Sequence, residues 1–206
     1  MEKILKYFPD INETQKKQFE MLGELYRSLN EKVNVISRKD TENIYEHHVL
    51  HSLAIAKAFS FPDGAEILDF GTGGGFPGVP ISIMFPNCRF TLIDGTGKKI
   101  RVAEEVSNAI GLKNCFPVHR RGEEEKGKYD FIVSRAVMQL PMLVKLMKKN
   151  LSTVQRGNVK NGIICLKGGD LTEELRPYAK KVVMTPVSDF FQEEWFNEKY
   201  VIYLPR

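Results

Sequence analysis

The chain has 206 residues, of which 42% are hydrophobic and 27% charged, and its formal net charge is +4. That composition fits a globular protein of one domain with an extension and argues against disorder. No apolar run reaches the roughly 18 residues that a membrane helix needs, and the start, Met1-Glu2-Lys3-Ile4-Leu5-Lys6, is too polar for a signal peptide. Cys88, Cys115 and Cys165 form no CxxC pair and are odd in number, which predicts reduced thiols in a cytoplasmic protein.

Residues 1–62 read as a helical extension. Ile11-Asn12-Glu13-Thr14 offers caps before a run with Phe19, Leu22, Leu25, Tyr26 and Leu29 at helical spacing. A polar loop, Asn30 to Lys39, precedes a second helix that begins after Asp40-Thr41 and carries Ile44, Tyr45, His48, Leu53, Ile55 and Ala56. Ser60-Phe61-Pro62-Asp63-Gly64 breaks that pattern. Residues 63–206 then follow a strand, turn, helix rhythm. Strands are predicted at Glu66–Phe70, Arg89–Asp94, Cys115–Arg120, Tyr129–Ser134, Gly162–Lys167, Val182–Pro186 and Tyr200–Leu204. Helices are predicted at Pro77–Met84, Lys98–Ile110, Leu140–Asn150 and Leu171–Ala179. This alternation implies an α/β fold, Rossmann-like, with a mostly parallel seven-stranded sheet and helices on both faces. Asp189 to Lys199 holds no convincing helix, so the last two strands are expected to pair antiparallel.

The most informative segment is Glu66-Ile67-Leu68-Asp69-Phe70-Gly71-Thr72-Gly73-Gly74-Gly75-Phe76-Pro77-Gly78. An apolar strand runs into clustered glycines, which let a ligand approach the main chain, and Pro77 suits the first turn of a helix. Ligands of open α/β sheets bind at the carboxyl ends of strands. Gly73-x-Gly75-x-x-Gly78 fits a dinucleotide fingerprint, but so many glycines satisfy several patterns. Asp69 stands where a nicotinamide site carries an apolar residue, and it suits a loop that faces the cationic amine of S-adenosylmethionine. The chain also leaves little room for a separate hydride-accepting domain. Asp94, about 20 residues further on at the end of the second strand, is placed to accept ribose hydroxyls, with a helix cap as the plain alternative.

Two later strand ends complete the candidate site. The Gly122 amide and Glu123 carboxylate are positioned to read an adenine edge; a solvated acidic turn is the plain alternative for Glu123. Arg135 ends the fourth strand beside the expected reaction centre and can steer a phosphate or a base. From Phe131 to Gly169 the chain holds seven Lys or Arg and no acid. Lys145, Lys148, Lys149, Arg156 and Lys160 are the candidate phosphate contacts there, against a merely solvated face. His47 and His51 lie four apart, but no third ligand stands at a recognised spacing, so no metal is expected. Phe190, Phe191, Trp195, Phe196 and Tyr200 are expected to close the edge of the sheet and its core rather than stack on bases.

These residues together resemble the glucose-inhibited division protein B family (ribosomal RNA small subunit methyltransferase G). The resemblance covers nearly the whole chain. It rests on Asn30, Asn34-Val35-Ile36-Ser37-Arg38, His48-Val49-Leu50-His51-Ser52-Leu53, the loop from Asp69 to Pro80, Lys98-Lys99, Arg121-Gly122-Glu123, Ser134-Arg135-Ala136 and Lys167-Gly168. Within it, Gly75-Phe76-Pro77-Gly78-Val79-Pro80 is far more specific than a generic glycine loop. The resemblance implies methyl transfer from S-adenosylmethionine to guanine N7 in 16S ribosomal RNA. It maps cofactor contacts to Gly71, Phe76, Gly122, Glu123 and Arg135. The chain departs from the family pattern at His51, where aspartate is usual, at Tyr26, where a tryptophan is common, and at Gly95, where serine is common.

The candidate set is therefore Arg135 as catalytic residue and Asp69, Gly71, Gly73, Phe76, Asp94, Gly122, Glu123 and Arg135 around the cofactor. The expected partner is small-subunit ribosomal RNA or a pre-assembled ribosomal subunit, acted on by a monomer. Guanine N7 carries a lone pair and no proton, so its methylation needs alignment more than a base. In duplex RNA that edge lies in a groove too narrow for side chains, which places the target in an open loop or an assembly intermediate. A small-molecule methyltransferase is the main rival reading; a non-enzymatic RNA-binding module and a dehydrogenase follow.

Overall fold

A computed structural model describes residues 1–37 and 40–206, so Arg38 of the N-terminal motif lies outside the described residues. All seven predicted strands form: β1 (Glu66–Phe70), β2 (Arg89–Asp94), β3 (Cys115–His119), β4 (Phe131–Arg135), β5 (Gly162–Gly168), β6 (Val183–Pro186) and β7 (Lys199–Pro205). They build one sheet in the order β3-β2-β1-β4-β5-β7-β6. The first five are parallel, and β7 runs antiparallel to both β5 and β6. Strand order reverses between β1 and β4, which opens a crevice at the carboxyl ends of that pair.

Alternation along the strands supplies two apolar layers, as a period of two demands. Ile67, Phe131, Val133, Ile164 and Leu166 point into one core, and Leu68, Ile132, Ile163 and Cys165 into the other. The first layer is covered by α1 (Glu2–Tyr7), α2 (Glu13–Lys32), α3 (His51–Ala58), α4 (Gly78–Met84) and α5 (Gly97–Ala109). The second is covered by α6 (Leu140–Met147) and α7 (Thr172–Leu175).

Several boundaries differ from those predicted, each for a local reason. Helix α7 tightens to a 3₁₀ turn at Arg176–Tyr178, where Pro177 has no amide hydrogen to continue an α-helix. Helix α6 likewise ends in a 3₁₀ turn at Lys148–Asn150. Pro77 caps α4 instead of lying in its first turn. Helix α2 starts at a capping box between Asn12 and Gln15 and buries Phe19, Leu22 and Tyr26. The second N-terminal helix begins as a π-helix, Ile44–Leu50, and continues as α3. The short helix α1 had no separate signal. Among the described residues, no helix is long and apolar enough to cross a membrane.

Candidate active site

The glycine loop is held from below by one carboxylate. Asp69, fully buried at the end of β1, accepts hydrogen bonds through Oδ2 from the Thr72 hydroxyl (2.6 Å) and the Gly78 amide (2.7 Å). A Cβ at Gly78 would lie 2.6 Å from that same oxygen and 2.6 Å from Leu92, so only glycine lets the amide come this close. Gly71 takes a positive φ of +69°, where an added Cβ would press on Val137 at 2.4 Å. The other Asp69 oxygen is buried without a hydrogen-bond partner among the described residues, and burial pushes the carboxyl up to about 7.

Above the loop lies a cavity of about 270 Å³, lined in part by Gly71, Gly73, Phe76, Asp94, Lys99 and Arg135. Asp94 faces it from the end of β2. Its oxygens accept from the Gly73 amide (3.0 Å) and the Thr96 amide (2.7 Å), and each keeps a second lone pair. The N-terminal segment supplies a wall that was not anticipated. Asn30 Oδ1 accepts from the Val35 and Ile36 amides and so folds residues 33–37 back, which sets Val35 against Gly74. Tyr26, noted in the sequence only as a core residue and a departure, donates its hydroxyl to the Gly74 carbonyl at 2.9 Å. Its ring packs on Phe76 at 4.6 Å.

Arg135 stands at the end of β4. Its guanidinium lies over the Phe76 ring at 5.0 Å, and it donates to His48 Nδ1 at 3.0 Å and to the His47 carbonyl at 3.4 Å. Burial lowers its pKa to about 10, against the pull of Asp69, and it forms no salt bridge among the described residues. Because His48 accepts through Nδ1, its proton sits on Nε2, which is buried without a partner among the described residues. Burial and then the guanidinium hold the ring neutral, with a pKa near 3. Ala136 follows at φ +53°, a strained value for a residue with a Cβ. Arg135 and Ala136 also line a second cavity of about 430 Å³, with Lys167, Gly168, Trp195 and Lys199 on its far side.

The remaining predicted residues are distributed unevenly. Gly122 and Glu123 form a 3₁₀ turn after β3, outside the lining of the smaller cavity. They follow Arg120, whose amide donates to the Asp94 carbonyl, and Gly122 packs against Phe70. The five basic candidates lie away from Arg135. Arg156 is paired with buried Asp130 at 2.9 Å, before β4 begins, and Lys160 lies just before β5. Both therefore stand at the amino-terminal edge of the sheet. Lys149 donates to the Glu123 carbonyl, whereas Lys145 lies on α6 and Lys148 in the turn after it. Phe191 and Phe196 are core residues. Trp195 is stacked on His47 at 4.2 Å and met edge-on by His51 at 5.2 Å. Among the described residues, no three His, Cys, Asp or Glu side chains gather as metal ligands.

The residues around the smaller cavity fit S-adenosylmethionine. Asp94, which lines the cavity, retains lone pairs for hydroxyls, while Asp69 lies beneath the loop, outside the lining, and keeps one buried oxygen with no partner among the described residues. The glycine cradle leaves backbone where side chains would intrude. Sheet order and loop together define a Rossmann-like methyltransferase fold. A methyltransferase from Aquifex aeolicus overlays with a TM-score of 0.56 at 15% identity, over 79% of this chain and 95% of that one. A precorrin-6y C5,15-methyltransferase from Geobacter metallireducens overlays at 0.55 and 15%, over 76% of this chain and 88% of the other. Residues 15–198 match the family model of rRNA small subunit methyltransferase G. The ribosomal RNA small subunit methyltransferase G of Bacteroides thetaiotaomicron is 57% identical over 203 residues, 98% of each chain. The chain belongs to the rRNA small subunit methyltransferase G family.

Proposed function

We propose that this protein transfers a methyl group from S-adenosylmethionine to N7 of a guanine in small-subunit (16S) ribosomal RNA, in the cytoplasm and as a monomer. The observation that carries this reading is the partition formed by Arg135 and Ala136, which line both the cofactor cavity and the larger cavity beside it. Shared lining puts the two cavities side by side, so a methyl donor in one is within reach of an acceptor in the other.

Asp69, Gly71, Gly73, Phe76 and Asp94 would hold the cofactor, with Gly122 and Glu123 at its adenine edge and Arg135 at its reacting end. The cofactor supplies an electrophilic methyl group on a sulfonium. The chain supplies alignment. Asp69 braces the loop through Thr72 and Gly78, Tyr26 pins its far side at Gly74, and Phe76 and His48 fix Arg135. No group needs to remove a proton from N7, which agrees with a site built from positioning contacts. Residues 1–62 act in this reading as a helical extension that walls the site, and residues 63–206 as the methyltransferase domain.

The test is methyl transfer from radiolabelled S-adenosylmethionine to small-subunit RNA and partly assembled subunits from a strain lacking this gene. Label at a guanine N7, lost with Arg135→Ala, is expected. Cofactor binding without label on any of these RNAs would overturn the RNA reading in favour of a small-molecule acceptor.

A further inference from the structure

The larger cavity has a chemical character of its own. Its charged side chains are Arg135, Lys167 and Lys199 on the basic side and Asp40 on the acidic side. Asp40 is already engaged: Oδ1 meets His47 Nδ1 at 2.8 Å, and Oδ2 accepts from Ser37 at 2.6 Å. Lys167 is held by Glu174 at 2.7 Å and by the Met138 carbonyl. Trp195 offers no free face, because His47 covers one side and Lys199 lies 5.0 Å from the ring centre. Hydrogen-bond donors therefore dominate, and aromatic stacking is not what the pocket provides.

Arg135 supplies the donors nearest the partition. Among the described residues, two of its five N–H groups are engaged, by His48 and the His47 carbonyl. Phe76 fixes the plane of the guanidinium from the cofactor side. The three remaining N–H groups are directed by those contacts, not by a carboxylate partner. His48 is the residue that sets this orientation. A neutral imidazole can accept from a guanidinium, whereas a protonated one cannot, and burial keeps His48 neutral. Leaving Nε2–H buried and unpaired costs stability, so the packing that holds this ring serves the Arg135 contact.

Purines differ on the edge that carries N7. Guanine presents two acceptors there, N7 and O6, whereas adenine presents N7 and a 6-amino donor. We propose that this cavity is the acceptor-base pocket, that Arg135 reads O6 while N7 stays free to attack, and that His48 is the positioning residue that makes Arg135 select guanine over adenine. This deepens the methyltransferase reading and rests on it. A 6-amino group beside Arg135 would meet N–H donors instead of an acceptor, which leaves polar groups unpaired on both sides, and Asp40, the one carboxylate among the described lining residues, already holds His47 and Ser37.

The experiment measures binding of guanosine, inosine and adenosine monophosphates to the full chain saturated with S-adenosylhomocysteine, which blocks the cofactor cavity. Guanosine and inosine monophosphates share N7 and O6 and are expected to bind about tenfold tighter than adenosine monophosphate. His48→Leu removes the acceptor and should bring the three affinities together. His48→Asn restores an acceptor near the Nδ1 position and should recover most of the preference. Both variants are checked for folding by circular dichroism and for S-adenosylhomocysteine affinity. Equal affinities in the saturated wild type, shared absence of binding included, would overturn the pocket assignment alone. A preference that survives His48→Leu would overturn the role of His48. Failure of the wild type to bind S-adenosylhomocysteine would overturn the methyltransferase reading and this proposal with it.

Discussion

The Tyr26 hydroxyl donates to the Gly74 carbonyl at 2.9 Å, across 48 residues of sequence, and so ties helix α2 to the glycine loop. The hydroxyl is buried, and its removal strands a buried carbonyl. Tyr26→Phe keeps the ring contact with Phe76 and should cost about 1 kcal/mol of stability. It should also weaken S-adenosylmethionine binding several-fold, because the loop loses one of the side-chain contacts, beside those of Asp69 and Asp94, that hold it. Urea denaturation and calorimetric titration read the two effects separately. Unchanged cofactor affinity would show that Asp69 and Asp94 hold the loop without Tyr26.

Asp69 and His48 make opposite contributions to the pH dependence of stability. Burial raises the Asp69 carboxyl to about 7 from 3.8, so between these values the folded state holds a proton that the unfolded chain lacks. Its ionisation therefore lowers stability as pH rises through 7. Burial lowers His48 to about 3 from 6.5 and pushes His51 well below its ordinary value, so in mild acid the unfolded chain binds protons that the folded state refuses. Stability is then lost as pH falls below 6.5. Two histidines oppose one carboxyl, so stability is expected to fall as pH drops from 6 towards 4. Asp69→Asn removes the opposing proton and should steepen that loss. Denaturation midpoints from pH 4.5 to 8 measure it, and an unchanged slope would mean that Asp69 is ionised throughout.

The same carboxyl offers a test of the cofactor site. A cationic cofactor favours ionised Asp69, so S-adenosylmethionine affinity should rise with pH through 7 in the wild type and stay flat in Asp69→Asn. Parallel curves would detach the carboxyl from the cofactor charge.

Gly78→Ala tests the specific part of the loop. The new methyl would meet Asp69 Oδ2 and Leu92 at 2.6 Å, both fully buried. Nothing can yield cheaply there, so a loss of about 2–3 kcal/mol is expected, as for an overpacked core. The positive-φ Gly64, with open space around it, is the control, where alanine should cost only the backbone strain.

Among the basic residues, structure separates stability from binding. Arg156→Ala breaks the pair with buried Asp130 and should lower stability by about 1 kcal/mol, discounted for its exposure to solvent. Lys199→Ala, at the rim of the larger cavity, should instead reduce the salt dependence of RNA binding by about one phosphate contact. Thermal melts and binding titrations at two salt concentrations distinguish the two variants. Equal effects on salt dependence would return Arg156 to the RNA surface.

The elements of this fold were legible because their causes are local. Alternation predicts β1 to β7, the cap at Asn12 predicts the start of α2, and the run from Asp69 to Pro80 announces a ligand loop through turn chemistry confined to a dozen residues. The antiparallel final pair followed from the absence of a helix between the last two strands. Tertiary structure alone decided which distant groups meet. His48 and Arg135 are 87 residues apart, and neither the neutrality of the ring nor the aim of the guanidinium has a trace in the sequence around either one. The basic stretch from Phe131 to Gly169 looked continuous as a string. Folding divides it, because β4, α6 and β5 run back and forth across the sheet, sending Arg135 and Lys167 to the carboxyl edge and Arg156 and Lys160 to the opposite one. Periodicity determines which face a residue takes, but only the pairing of strands determines which end of the molecule it reaches.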